Sequence, residues 1–345
     1  MLDLGSGTGI LGLLACQAGA SRVYAVDAGG MAQPARAIAR ANALDDRITV
    51  IDGFSTDIDI PERADVLVTD QIGQFGFDAG IVKCVADARR RLLKPEPRLI
   101  PARVDLWIAP LESPALERAV DFWRTRPAGF DMSPLYEMAA NSGHPRRVRA
   151  EELLAPAVCG GSIDLAVDHP MLRLSTESMV ARPGTLHGIA GWFSSMLAPG
   201  IHMSNSPLAA NRIDRRSAVF PVATPTPVTT GDRIRTTMRI LPDDLLVSWT
   251  VETVRGERLA PAVRFNHSTL RGMLLAPDRL KRTRPDYVPL LNARGEARRS
   301  VLALCDGGRT LEEIEREVYA RHAAIFRDRS DAELFVAEVV VGYCR

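Results

Sequence analysis

The stretch that most constrains the fold is "LDLGSGTGILGLL", residues 2–14: a short apolar run, glycines at 5, 7 and 9, then an apolar helical pattern. Glycine at a strand-to-helix turn tolerates positive φ and lets the backbone pass close to a ligand. Strand-like and helical segments then alternate: "RVYAVDA", "MAQPARAIARANAL", "RITVIDG", "ADVLVTD" and "DAGIVKCVADARRRLL". That alternation predicts a parallel sheet with helices on both faces, an α/β Rossmann-like arrangement over residues 1–100. Ligands of such sheets collect beyond the carboxyl ends of the strands.

Three acids stand near those ends. Asp3 lies two residues before Gly5, Asp27 closes "VYAVD" 18 residues beyond Gly9, and Asp52 follows the third strand in "IDG". A carboxylate ending the second strand can accept both hydroxyls of a ribose, although a strand-end Asp also serves as a cap or turn residue. The G-x-G-x-G spacing preceded by Asp3 resembles the loop of methyltransferases that use S-adenosylmethionine. The resemblance implies cofactor-binding roles for Asp3, Gly5, Gly7, Gly9 and Asp27; Asp52 is placed either to hold the adenine amino group or to serve as a turn residue.

The remaining composition excludes several classes. A formal net charge of +1 offers no field for nucleic acid or an anionic membrane. No apolar run approaches the ~18–20 residues that span a bilayer, and no signal peptide precedes the loop. Five scattered cysteines (Cys16, Cys84, Cys159, Cys305, Cys344) without a C-x-x-C argue against a zinc site or disulfide framework, and fit a reducing cytoplasm.

From about 101 to 280 the chain changes character. Short strand-like runs such as "SAVFPVA", "DRIRTTMRI" and "DDLLVSWTVE", separated by Pro and Gly, predict an antiparallel barrel or sandwich. Within it, "SPALERAVDFWRTRPAGFDMSPLYEMAAN" reads as a helical insertion. Residues 285–345 are helical again. Thr310 and Glu313 form a capping box, Leu311, Ile314, Val318 and Tyr319 an apolar stripe, and "DAELFVAEVVVGY" a further helix.

Several separated stretches resemble the protein arginine methyltransferases over residues 1–275: "LDLGSGTGILGLLACQAGASRVYAVDA", "FW" at 122–123 with "GFDMSPL" at 129–135, "HGIAGWFSSML" at 187–197 with "MSNSP" at 203–207, and "VTTGDRI" at 228–234. The resemblance implies a Rossmann-like domain joined to a β-barrel, and a helical arm, residues ~113–150, that docks on a second subunit to form a homodimer. It implies a protein or peptide substrate. An insertion carrying Phe122, Trp123, Phe130 and Met132 needs a surface to bury against, a partner's or its own barrel's.

That family grips the substrate guanidinium with two glutamates after the fourth strand. Arginine stays protonated, so a carboxylate pair neutralises and orients it. Here the loop reads "TDQIGQFGFDAG": Asp70 replaces the first glutamate, Ala79 occupies the second's column, and Asp78 stands one residue earlier. Each aspartate reaches ~1–1.5 Å less far. The family's T-H-W signature is replaced by "NRIDRRSAVF", with Asp214 or a neighbour in the histidine's place. Two readings stay open. Asp70 and Asp78 form a catalytic pair for arginine, lysine or another amine; or the site has moved to another nucleophile or lost turnover, leaving a dimeric binding or scaffold protein. Asp78 is equally placed to cap the helix that follows. His187, ahead of an apolar strand, serves the barrel, and His202 and His267 lack partners for a metal site.

The C-terminal "PLLNARGEARRSVLALCDGGRTLEEIEREVYARH" resembles the helical half of PqqD-like peptide-recognition domains, which implies docking of a ribosomally made peptide. That family's three-stranded wing is not evident in residues ~275–289. The resembling methyltransferases also carry helices ahead of the first strand that fold over the cofactor. Beginning at "MLDL" therefore leads to two expectations, a start that lies upstream or a cleft open on one side.

Overall fold

The computed structural model describes residues 1–255, 262–273, 281–282 and 284–344. It divides into two compact units, Met1–Leu274 and Leu275–Arg345. The first unit opens with β1 (Leu2–Leu4), α1 (Ile10–Gln17), β2 (Val23–Asp27), α2 (Ala32–Ala41), β3 (Ile48–Asp52), β4 (Ala64–Thr69), α3 (Ile81–Arg91) and β5 (Leu93–Ile100). These strands pair in parallel, in the order β3-β2-β1-β4-β5.

The apolar runs of β1 and β2 are buried throughout, as strands covered on both faces must be. Cys16 of α1 and Ala39 of α2 pack with Val23 and Ala25. Ile81, Val82 and Val85 of α3 share a core with Leu2, Leu4, Tyr24 and Val26. Alternation along β1 therefore turns Asp3 away from α3 and toward α1. Strand order reverses between β1 and β4, so the segments leaving these neighbours diverge and open a crevice at their carboxyl ends.

Antiparallel sheets follow. One contains β6 (Arg103–Leu111), β7 (His144–Arg146), β8 (Val158–Asp164), β10 (Gly184–Ala198), β11 (Ile201–Ser204) and β12 (Ser217–Val228); its order is β7-β12-β10-β6-β8, with β11 on β10. The other contains β9 (Leu172–Met179), β13 (Arg233–Leu241), β14 (Leu246–Val254) and β15 (Val263–Ser268), in the order β15-β14-β13-β9. Burial alternates strictly along β9, the mark of one wet and one dry face.

The sheets meet through aromatic rings. Phe220 of β12 and Trp249 of β14 lie 5.2 Å apart, and the Trp249 indole N–H donates to the Pro221 carbonyl at 2.9 Å. Phe75, from the turn after β4, extends this stack to the parallel sheet, 5.8 Å from Phe220 and 5.7 Å from Phe77. Its ring lies so close over Gly191 of β10 that a Cβ there would fall 2.7 Å from it. One hydrophobic core thus runs from Leu2 and Leu4 to Trp249 and Phe265.

The stretch expected to be a helical arm is α-helical only over α4 (Pro114–Asp121) and α5 (Tyr136–Ala140), with single 3-10 turns at Phe122–Arg124, Pro127–Gly129 and Ser133–Leu135 between them. Pro127 and Pro134, with Arg126, Ala128 and Gly129 in left-handed conformations, interrupt the helix between them. Leu116, Val120, Ala139 and Ala140 bury against Ala109, Trp192 and Val219 of the six-stranded sheet. Phe122 and Phe130 remain 46% and 70% exposed.

The second unit contains α6 (Ala293–Leu304), α7 (Leu311–His322) and α8 (Arg329–Tyr343), packed through Val301, Ile314, Val318, Phe335 and Val339. The Thr310 side chain accepts from Glu313 N–H, and Glu313 returns a carboxylate to Thr310 N–H at 2.8 Å. Leu311, expected in the apolar stripe, is exposed instead: as the first residue of α7 it precedes the turns that pack. The stretch ~275–289, where a PqqD-like wing would stand, lies partly outside the described residues. Among the described residues no helix is long and apolar enough to cross a membrane.

Truncating Phe75 to Ala is expected to destabilise the first unit by about 3–5 kcal/mol. Tryptophan fluorescence during urea unfolding reads this directly, since Trp107, Trp123, Trp192 and Trp249 all belong to that unit.

Candidate active site

The glycine loop leaves β1 with Gly5, Gly7 and Gly9 at φ of 71°, 53° and 82°. Its first two amides, Gly5 and Ser6, donate to the Val26 carbonyl at 2.9 and 3.0 Å, fastening the loop to β2. A Cβ on Gly5 would press on the Gln71 side chain, 2.9 Å from its Nε2, and the left-handed φ of 71° itself favours glycine there. At the end of β2, Asp27 Oδ2 accepts Gly7 N–H at 2.9 Å and Oδ1 accepts Gly29 N–H at 2.7 Å. Each oxygen keeps acceptor capacity for a ligand. The adjoining cleft of about 310 Å³ is lined by Gly5, Asp27, Gly29, Phe54, Gln71 and Cys84, among others. Asp52 stands beside Asp27 in register and is exposed, but the lining here comes from Gly53, Phe54 and Ser55.

Asp3 lies beneath this loop, wholly buried, with no hydrogen-bond partner on either carboxylate oxygen. Burial pushes its carboxyl up to about 6; the Gly12 amide, outside hydrogen-bond geometry, pulls it back, and the Asp27 carboxylate adds to the rise. Ser6 Oγ and Gln71 Oε1 are likewise buried and unpartnered. Buried polar atoms almost always find partners, so a cluster without them marks a place where a ligand or water completes the site.

The acid turn starts on the neighbouring strand. Thr69 Oγ1 donates to the Leu4 carbonyl at 2.9 Å and accepts from Gln71 N–H at 3.2 Å, which sets Asp70 beside the glycine loop. Asp70 Oδ2 accepts from Arg215 Nη2 at 2.7 Å, and Arg215 Nη1 donates to the Gly73 carbonyl at 3.3 Å. Asp78 is engaged with its own turn. Its Oδ1 accepts from Gln74 N–H at 2.9 Å and Phe75 N–H at 2.7 Å, and Oδ2 receives Gln74 N–H at 3.0 Å. Short Asp side chains favour such local backbone bonds. A Cβ on Gly73, at φ 78°, would fall on Asp78 Oδ1. Asp78 is not the cap of α3 either, because Gly80 occupies that position.

Sequence reading missed two residues here. The buried Asn205 carboxamide accepts Phe193 N–H at 3.0 Å and donates to the carbonyls of Gln74 at 2.7 Å and Arg216 at 2.8 Å. One side chain therefore ties β10, the acid turn and the loop that replaces T-H-W. In that loop, where the sequence pointed to Asp214 or a neighbour, Arg215 meets Asp70, while Asp214 is exposed and paired with Arg147. The signal was the basic run "NRIDRR" itself. His187 is buried, accepts Ser113 N–H on Nδ1 at 3.1 Å and faces Glu117 across 3.2 Å; it pins α4 to β10. Among the described residues no three His, Cys, Asp or Glu gather to hold a metal ion.

Two family descriptions match successive parts of the chain: ribosomal protein L11 methyltransferase over residues 1–100, and the arginine methyltransferase oligomerization subdomain over residues 102–251. The chain is 33% identical to the probable protein arginine N-methyltransferase 6 of Arabidopsis thaliana over 204 residues, 56% of this chain and 46% of that protein. It is 33% identical to protein arginine N-methyltransferase 6 of Xenopus laevis over 226 residues, 60% of this chain and 65% of that protein. Over residues 1–251 the chain is thus similar to protein arginine methyltransferases and, in its first hundred residues, to a ribosomal protein methyltransferase. It spans less than two thirds of the length of these curated relatives. Two solved protein arginine methyltransferases share its fold, each covering 77% of this chain and 87% of its own. They are Arabidopsis thaliana protein arginine methyltransferase 10 (TM-score 0.66, 24% identical) and the Trypanosoma brucei PRMT1 enzyme–prozyme heterotetrameric complex with AdoHcy (TM-score 0.68, 21% identical).

The raised Asp3 carboxyl carries a pH signature. The folded chain holds this proton more tightly than the unfolded chain, so Asp3 favours folding below about pH 4, and that contribution is lost as pH rises through about 6. Asp3→Asn removes the dependence. Its unfolding free energy relative to the parent is expected to grow by about 2 kcal/mol between pH 4 and pH 7, measured by ligand-free urea denaturation across that range.

Proposed function

We propose that this chain is an S-adenosylmethionine-dependent methyltransferase acting on a side-chain nitrogen of a protein or peptide, arginine foremost. The observation that carries the reading is the juxtaposition, at the strand-order reversal, of a glycine loop with unpartnered buried polar atoms and an accessible carboxylate on the next strand. The named activities of the relatives support it. Gly5, Gly7 and Gly9 would give the cofactor close backbone approach, and Asp27 would accept its ribose hydroxyls while steadying the loop. Asp3 would supply negative charge beneath the loop, and Asp52 would reach the adenine amino group from the cleft's edge.

When bound, the cofactor supplies an electrophilic methyl group on a sulfonium; the S–CH₃ bond breaks, an N–CH₃ bond forms and the nitrogen gives up one proton. Asp70 would orient the acceptor nitrogen and neutralise its charge. In this arrangement Asp78 acts as a positioning residue, because its oxygens hold the amides of Gln74 and Phe75 and so keep the acid turn in place. Positioning of this kind supplies most of what methyl transfer requires from a protein.

Oligomerisation is part of the same reading. The match to an oligomerization subdomain supports it, and Phe122 and Phe130, exposed between α4 and α5, offer apolar surface to a second copy. The two antiparallel sheets would form the barrel that receives the substrate.

Calorimetry with S-adenosylmethionine tests the core of the proposal, and absence of binding would sink it. Asp27→Ala is expected to weaken cofactor binding by about 10- to 100-fold, the loss of one or two hydrogen bonds to a charged acceptor. Asp70→Ala should leave that affinity in place and abolish methylated product in mass spectra of arginine-containing peptides.

A further inference from the structure

We infer that Arg215 is a built-in guanidinium that holds the acceptor carboxylate of Asp70 and must be displaced before an arginine substrate can enter. This rests on the reading of Asp70 as the acceptor acid. Arg215 contacts both flanks of the acid turn, Asp70 Oδ2 at 2.7 Å through Nη2 and the Gly73 carbonyl at 3.3 Å through Nη1. The Phe193 ring lies 6.0 Å from its guanidinium carbon. A carboxylate, a carbonyl and an aromatic face are what a substrate guanidinium would itself seek.

The placement is imposed by the scaffold. Ile213 N–H donates to the Ser204 carbonyl at 2.8 Å, and Asp214 pairs with Arg147. Asn205 binds the Arg216 carbonyl and the Gln74 carbonyl with the same amide nitrogen. The loop bearing Arg215 and the turn bearing Asp70 are therefore fastened to one buried group, which holds the two charges together.

The charge balance gives the pair its consequence. With Asp78 committed to backbone amides, Asp70 is the carboxylate of the acid turn left to meet an acceptor, and Arg215 neutralises it. An incoming guanidinium must break an equivalent pair and face the displaced positive charge. An uncharged nitrogen meets neither penalty. The pair is open enough to exchange: the side chains of Arg215 and Asp70 are 26% and 54% exposed. Apparent affinity for an arginine substrate falls by the fraction of molecules in which Asp70 is free. Arg215 is thus a specificity-determining residue that sets how readily a cationic acceptor such as arginine gains Asp70.

The test is binding of a short glycine-flanked arginine peptide to the full chain, titrated without cofactor. Arg215→Gln is expected to tighten binding by about 5- to 20-fold, given a half-exposed, charge-assisted pair. Arg215→Lys keeps the charge without the planar fork and is expected to fall between parent and Gln variant. Adding Asp70→Asn to Arg215→Gln should return binding to the parent level or below. Structural damage weakens binding, so tighter binding is a readout that a merely structural role would not produce. Equal or weaker binding by Arg215→Gln at unchanged melting temperature overturns the inference; if that variant is unfolded, equal or weaker binding by the folded Arg215→Lys does so. Cofactor calorimetry on the same parent protein separates the two claims. A chain that fails to bind S-adenosylmethionine overturns the proposed activity, while the peptide titrations still decide the role of Arg215.

Discussion

The buried carboxamide of Asn205 is the interaction on which the site depends. A buried amide must satisfy its donors and acceptor, and here it does so across segments far apart in sequence: β10, the acid turn after β4, and the loop ahead of β12. Removing it would strand a backbone amide and two carbonyls together. The Phe75 stack adds the apolar half of the same joint, since its ring fills the space that Gly191 leaves open. The acid turn is consequently part of the core, and its geometry is set by the antiparallel sheets as much as by the parallel sheet from which it emerges.

Two carboxylates a few residues apart on that turn have different fates for physical reasons. Asp78 folds back over a tight turn that only Gly73 permits, and the amides of Gln74 and Phe75 engage its oxygens. Asp70 points to the half-exposed edge and meets a cation from another segment. Asp3 is a third case: a charge buried without a donor, whose raised proton affinity records that cost. The ligand-free loop therefore retains polar strain at the point where a bound molecule could relieve it.

Much of this was legible in the residues. The glycine spacing, Asp27 and the alternating segments announce the parallel sheet and its crevice, because strand-to-helix turns follow local rules. The Thr310–Glu313 capping box was readable for the same reason. Helical pattern alone overstated the insertion at 113–150, where two prolines and three left-handed residues leave two short α-helices joined by single 3-10 turns. Asp78 was read as a partner of Asp70 or as a helix cap; Gly80 takes the cap, and Asp78 bonds to the backbone of the turn instead, since those bonds depend on the path of the backbone between Gly73 and Phe75. Between Asp214 and its neighbours the sequence left the choice open; Arg215 makes the contact, because neighbours in sequence on a loop can point in unrelated directions.

The sequence by itself determined the class of fold and the nucleotide-type crevice, since those follow from local turn chemistry and periodic burial. Which charges meet was decided only by tertiary structure. The pairing of Asp70 with Arg215 joins residues 145 positions apart, and the carboxamide that holds both in place is buried by strands that no local pattern brings together.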